Sequence, residues 1–129
     1  MKIRSAAIAA FAAPLILCAG VLPASAHHSF AMFDMTKSSQ ITGTLKDVAW
    51  NNPHTSLIVM VPGENGQAAA EWHLESGPPA FLMRAGLKRA DLAGRVGAKV
   101  TITLHPLKDG RTGGSLESVK FEDGASWKL

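Results

Sequence analysis

Two adjacent histidines, His27 and His28, directly follow small residues that are typical of a secretory cleavage site. Cleavage after Ala26 would leave a free α-amino group on His27. The amine and the two imidazoles would then place three nitrogen donors close together in the chain. Donors of this kind favour divalent transition metals, and copper(II) is bound most tightly. The alternative is that the pair follows the cleavage site and stays in solvent.

Two further histidines lie where the sequence pattern predicts the ends of strands. His54 begins the second predicted strand, and His105 ends the fourth. In an OB-like barrel, the loops beside these positions flank one ligand-binding face. We therefore predict a metal site that contains His27, His28, His54 and His105. For His54 and His105 the alternative is an ordinary histidine of a loop or strand end.

Four residues are weaker candidates for the same site. His73 is predicted to project from its strand on the same side as Glu75. A carboxylate beside a histidine can bind a metal or orient the ring, although the pair also suits the wet face of a strand. Met32 and Met35 offer thioethers, which prefer copper(I). Their alternative role is to pack the N-terminal arm onto the barrel.

Trp50 and Asn52 are the candidates for contacting an organic ligand, because they lie at the predicted turn between the first two strands. Core and rim packing is the simpler role for the chain's three tryptophans. Binding of nucleic acid is not expected, since that needs a basic groove with stacking aromatic side chains.

The sequence contains none of the common catalytic motifs. It has no Gly-x-Ser-x-Gly elbow and no glycine-rich phosphate loop. Cys18 is the only cysteine, and it lies in the predicted signal peptide. The mature protein is therefore expected to have neither a disulfide nor a thiolate ligand. We predict a protein that is not an enzyme.

Residues 1–26 have the three parts of a signal peptide: a basic start, an apolar run and a small-residue cleavage site. The apolar run is shorter than the ~20 residues that span a bilayer, so no stable membrane anchor is expected after cleavage. Residues 27–129 would form one domain with eleven basic and ten acidic residues, a net charge of +1. We expect the protein to be periplasmic or secreted.

Apolar periodicity predicts five strands, with one helix between the third and the fourth. Asn-Pro, Pro-Gly and Asp-Gly pairs mark the turns, and Gly86 offers a point where the helix splits in two. This order of elements predicts a mainly β fold, a small five-stranded OB-like Greek-key barrel. The predicted strands cover residues 41–48, 54–61, 68–76, 99–105 and 115–121, and the helix covers 79–92.

Several motifs along the chain are also found together in one family. The run His27-His28-Ser29-Phe30-Ala31-Met32-Phe33-Asp34 and the run Trp50-Asn51-Asn52-Pro53-His54 resemble an uncharacterised family of small exported bacterial proteins that carry a domain of unknown function. Trp72 with Glu75, Gly77-Pro78 and Pro106 with Asp109-Gly110 extend the resemblance over the mature chain. The resemblance implies a small exported β protein and supplies no activity.

Two functions remain open on these grounds. The first is a metal-binding protein, with copper as the expected ion and the N-terminal histidines as ligands. The second is a non-catalytic module of the cell envelope that binds a small ligand or another envelope protein without metal.

Overall fold

The computed structural model describes residues 28–129, with side chains from residue 30 onward. The predicted signal peptide, Cys18, His27 and the side chain of His28 lie outside the described residues. Within the described part, no helix is long and apolar enough to cross a membrane.

The described chain forms six strands and three short helices. All five predicted strands are confirmed, with ends that differ by at most two residues, and a short sixth strand follows them. The strands are β1 (Ser39–Trp50), β2 (Thr55–Val61), β3 (Ala70–Glu75), β4 (Lys99–Pro106), β5 (Gly113–Phe121) and β6 (Ser126–Lys128), and the helices are α1 (His28–Ala31), α2 (Pro79–Arg84) and α3 (Arg89–Ala93).

The first five strands close into a barrel. Strand β1 pairs antiparallel with both β2 and β4, β2 pairs with β3, and β4 pairs with β5. A parallel pairing between β3 and β5 closes the ring, and β6 adds to the outer edge of β5. The order β1-β2-β3-β5-β4 is that of an OB-like Greek-key barrel, so the predicted fold class is confirmed.

Alternating side chains fill the barrel interior. On β4, Val100, Ile102 and Leu104 are each at most 1% exposed, whereas the residues between them are partly exposed. This is the period of two that a half-buried strand requires. The helical segment adds Leu82, Leu87 and Leu92 to the same core.

The prediction of one continuous helix over residues 79–92 is wrong, because two short helices cover this segment. The predicted split at Gly86 is confirmed. Gly86 has a φ of +82°, a left-handed conformation that glycine adopts without a steric cost. The N–H of Leu87 donates to the Leu82 carbonyl at 3.0 Å, and the N–H of Gly86 donates to the Met83 carbonyl at 3.0 Å. These two bonds form a Schellman motif, which ends α2 and turns the chain into α3.

The barrel closes where β5 passes very near its neighbours. A Cβ atom on Gly113 would lie 2.6 Å from the His73 carbonyl oxygen. A Cβ atom on Gly114 would meet the His105 carbonyl oxygen and the Leu104 side chain. Only glycine allows a backbone approach this close on both sides of the strand.

The N-terminal arm lies against the loop between β4 and β5. Phe33 is buried and forms a bridge with Leu107. The N–H of Asp34 donates to the Pro106 carbonyl at 2.8 Å, and the N–H of Lys108 donates to the Met32 carbonyl at 2.9 Å. The segment that begins at α1 is therefore held at one end of the barrel.

Helix α3 is tied to the β5–β6 hairpin by one arginine. The Arg95 guanidinium carbon lies 5.2 Å from the ring centroid of Phe121 and 5.7 Å from that of Trp127. Asp123 accepts hydrogen bonds from the Ala125 N–H and from Arg95 Nε, each at 2.9 Å. These bonds lower the pKa of the Asp123 carboxyl below its ordinary value of 3.8, the Ala125 N–H contributing most.

The closure predicts a strong effect of a single added methyl group. Gly114→Ala is expected to lower the free energy of unfolding by about 1–3 kcal/mol, because the new Cβ forces strands apart in a packed region. Urea unfolding followed by tryptophan fluorescence measures the change. Gly94→Ala is the control, since Gly94 has an ordinary helical φ of −71°. Equal stabilities for both variants would contradict the closure argument.

The lowered pKa of Asp123 predicts an acid-dependent contribution to stability. The folded state favours the carboxylate, so the contribution is present above pH 3.8 and is lost as the pH falls through the lowered pKa. Wild type is therefore expected to be more stable than Asp123→Asn at neutral pH, and the difference should shrink as the pH falls below 3.8. Urea unfolding at several pH values measures it. A difference that stays constant over this range would contradict the prediction.

Candidate functional site

His54 is held at the end of β3 by backbone bonds. Its Nδ1 lies 3.2 Å from the Ser76 carbonyl oxygen. Next to it, the Thr55 N–H donates to the Gly77 carbonyl at 3.0 Å, and the Ser76 N–H donates to the Thr55 carbonyl at 2.9 Å. A carbonyl oxygen only accepts, so Nδ1 donates, and in the neutral imidazole Nε2 then keeps a lone pair.

His105 is held in the same way on β4. Its Nδ1 lies 2.7 Å from the Lys37 carbonyl oxygen, so Nδ1 donates and Nε2 again keeps its lone pair. Glu117 Oε2 is 3.9 Å from His105 Nε2, which is beyond hydrogen-bond distance. That oxygen accepts a hydrogen bond from Ser38 Oγ at 2.9 Å instead.

His54 and His105 line one groove of about 330 Å³, which we call the histidine groove. Its lining combines apolar side chains with a few polar ones. The apolar side chains are those of Phe30, Met35, Pro78, Phe81, Leu116 and Leu129. The polar side chains are those of His54, His105, Ser76 and Ser115. The lining therefore contains no Lys, Arg, Asp or Glu.

The strand register explains why residues distant in sequence meet here. His105 is opposite Ser115 in the β4–β5 pairing, and Ser115 is opposite Glu75 in the β3–β5 pairing. Ser76 follows Glu75, and its carbonyl holds His54. The groove thus crosses the ends of β3 and β5, and the two imidazoles stand on either side of those strands.

A buried hydroxyl in the groove lacks a partner. Ser76 is 8% exposed, and its Oγ has no hydrogen-bond partner among the described atoms. The Oγ1 of the adjacent Thr55 is also buried without a partner. An unpaired buried hydroxyl costs about 1–3 kcal/mol, so a ligand atom that reached Ser76 Oγ would recover part of that cost.

Large apolar side chains surround the mouth of the groove. Phe30 is 60% exposed, Met35 48% and Phe81 44%. Apolar side chains grouped around a concavity are typical of a binding site, whereas scattered ones need no explanation. Covering them would remove apolar surface from water, which is favourable.

His73, Glu75 and Met32 lie elsewhere. They line a second cavity of about 560 Å³ together with Arg111 and other residues of the β4–β5 loop. His73 Nε2 is 3.7 Å from the nearest carboxylate oxygen of Glu71. The structure therefore does not bring His73 into the histidine groove, because it projects from the outer face of β3 while the groove lies at the strand's end.

The other predicted site residues divide into two groups. Trp50 packs against the core, Asn52 is exposed, and neither lines the histidine groove. The His27 residue and the His28 ring lie outside the described residues. Among the side chains that the structure describes, no three of His, Cys, Asp and Glu are grouped so that they could hold a metal ion.

Of the residues that line the groove, the sequence predicted His54, His105 and Met35 as metal ligands, and it gave no signal for Ser76, Phe81 and Leu129. The Gly77-Pro78 break marks the end of β3, and that signal places Ser76 at a strand end. Which strand ends meet is decided by the parallel closure of β3 on β5, which local periodicity does not reveal.

A protein-family match covers the N-terminal arm and four complete strands. A family model described as "Family of unknown function (DUF6152)" matches residues 13–117. The chain belongs to this family. The match includes His54, Ser76, His105 and Leu116, and it ends within β5. No curated protein and no solved structure matches the chain.

Proposed function

We propose that this protein of the DUF6152 family is an exported binding protein, without catalytic activity, that holds a small ligand in the histidine groove. One observation carries the proposal. Apolar walls enclose two imidazoles whose tautomers are fixed by backbone carbonyls, next to the unpartnered buried hydroxyl of Ser76.

The balance of groups in the groove supports binding. Small-molecule sites are concave and mostly apolar, with a few placed polar groups that fix the ligand's orientation. The histidine groove has this composition at a volume of about 330 Å³. Its two imidazoles are held by hydrogen bonds to backbone carbonyls, so they are arranged before a ligand arrives.

Export is the second part of the proposal. It is supported by residues 1–26, which have the basic, apolar and cleavage regions of a signal peptide. Cleavage after Ala26 would place the new N-terminus three residues before Phe30, which lines the groove.

The proposal predicts that the groove binds small neutral molecules. Toluene, cyclohexanol, indole and butyramide serve as probes, added up to about 10 mM, a range that detects millimolar dissociation constants. At least one is expected to give saturable ¹H–¹⁵N shift changes that concentrate at residues lining the groove. Phe81→Ala should weaken that binding about five- to tenfold, because it removes apolar contact area.

Met83→Ala is the matched control. Met83 lies on the same helix and is 54% exposed, against 44% for Phe81, but it does not line the groove. Its variant should bind as wild type does. If all four probes leave the groove amides unshifted, the binding proposal is wrong.

A metal ion is the second candidate ligand, and copper is the first ion to test. One observation favours it: each imidazole donates Nδ1–H to a backbone carbonyl and keeps Nε2 for coordination, as metal-binding histidines do. A metal ion bound by these two imidazoles would keep further coordination positions for other donors. His27 and His28 are close enough in sequence to Phe30 to supply them.

The metal candidate predicts a histidine-specific loss of affinity. In copper(II) titrations of untagged protein purified from the periplasm, His54→Ala or His105→Ala should weaken binding by at least about 100-fold. An extra residue before His27 should also weaken it, because the amine is then moved. His73→Ala is the control, since His73 lies outside the groove. Equal affinity of the native, extended and His54→Ala forms would exclude this candidate.

A further inference from the structure

We propose that the ligand of the histidine groove is a neutral molecule with a compact aromatic body and one O–H or N–H donor, in the class of substituted phenols and N–H heteroaromatics. This inference rests on the proposed binding function and specifies its ligand. Three properties of the groove support it: the charge of its lining, the direction of its hydrogen bonds and its size.

The charge of the lining favours a neutral ligand. No lining side chain is Lys, Arg, Asp or Glu, so a bound ion would lose hydration without an opposite charge in the lining. A carboxylate lies beside the groove, since Glu117 Oε2 is 3.9 Å from His105 Nε2. Glu117 would repel an anion, so carboxylates and phosphates are poor ligands for this groove.

The hydrogen-bond direction requires a donor on the ligand. Because both Nδ1 atoms donate to backbone carbonyls, both Nε2 atoms are acceptors. A ligand with only acceptor oxygens, such as an ether, would leave these lone pairs unsatisfied. An O–H or N–H group satisfies one of them.

The size and the walls favour a ring. Dry apolar cavities of about 150 Å³ in other proteins hold one benzene molecule. A groove of about 330 Å³ therefore has room for one substituted ring or two fused rings. Phe30 and Phe81 are partly exposed aromatic side chains that line the groove, and aromatic rings pack on one another in offset or edge-on geometry.

Three matched probes test the inference: p-cresol, p-xylene and p-toluate. p-Xylene replaces the hydroxyl of p-cresol with a methyl group of similar size, and p-toluate replaces it with an anion. In wild-type protein, p-cresol is expected to bind at least about tenfold more tightly than either, because only p-cresol satisfies Nε2 without carrying charge. Titrations followed by ¹H–¹⁵N shifts give the three dissociation constants.

Variants identify the hydrogen-bonding groups. His54→Ala, His105→Ala and Ser76→Ala are each made, and at least one histidine variant should bring the ratio of p-cresol to p-xylene affinity close to one. His73→Ala should keep the wild-type ratio, because that ring lies outside the groove. A melting curve for each variant checks folding. If a histidine variant unfolds, the wild-type rings are observed directly in long-range ¹H–¹⁵N spectra. The inference then requires that addition of p-cresol shifts the ¹⁵N signal of at least one Nε2 atom.

The outcomes separate this inference from the proposed function. Equal groove binding of p-cresol and p-xylene would overturn the donor requirement and leave the binding proposal intact. Tightest binding of p-toluate would overturn the neutral class. An absence of binding by all three probes, with copper bound at His54 and His105, would overturn this inference in favour of the metal candidate.

Discussion

The parallel contact between β3 and β5 is the constraint on which the remaining structure depends. It turns an open sheet into a barrel, and it brings the His73 carbonyl into the space that a Cβ atom on Gly113 would occupy. The pairing of β4 with β5 does the same at His105 and Gly114. Gly113 and Gly114 meet that requirement. Without this pairing, β3 and the first residues of β5 would be sheet edges with unpaired backbone groups.

The same contact assembles the histidine groove. It aligns the end of β3, which carries Ser76, with the start of β5, which carries Ser115 and Leu116. His54 and His105 then flank these strand ends. Because their orientation depends on backbone carbonyls, the chemistry of the groove is a product of the fold and not of a single sequence motif.

Much of the fold was predictable from local patterns, because alternation and turn residues are local signals. Leu104 and its neighbours on β4 show this, as does the split of the helix at Gly86. β6 was missed because three residues are too few for a periodic signal. In the site, His54 and His105 were predictable from the OB-like topology, since the loops beside them meet in that barrel. Ser76 and Phe81 were not, because they enter the groove only through barrel closure.

Both ends of the described chain converge on one place. Phe30, at the N-terminal side, and Leu129, the last residue of the sequence, both line the histidine groove. The turn between β2 and β3 lies at the opposite end of β2, a strand of seven residues, roughly 23 Å away. A fusion domain or fluorescent label joined directly after Leu129 would thus start beside the groove and obstruct it. The exposed Gly63–Gly66 turn is the position where such an insertion leaves the groove open.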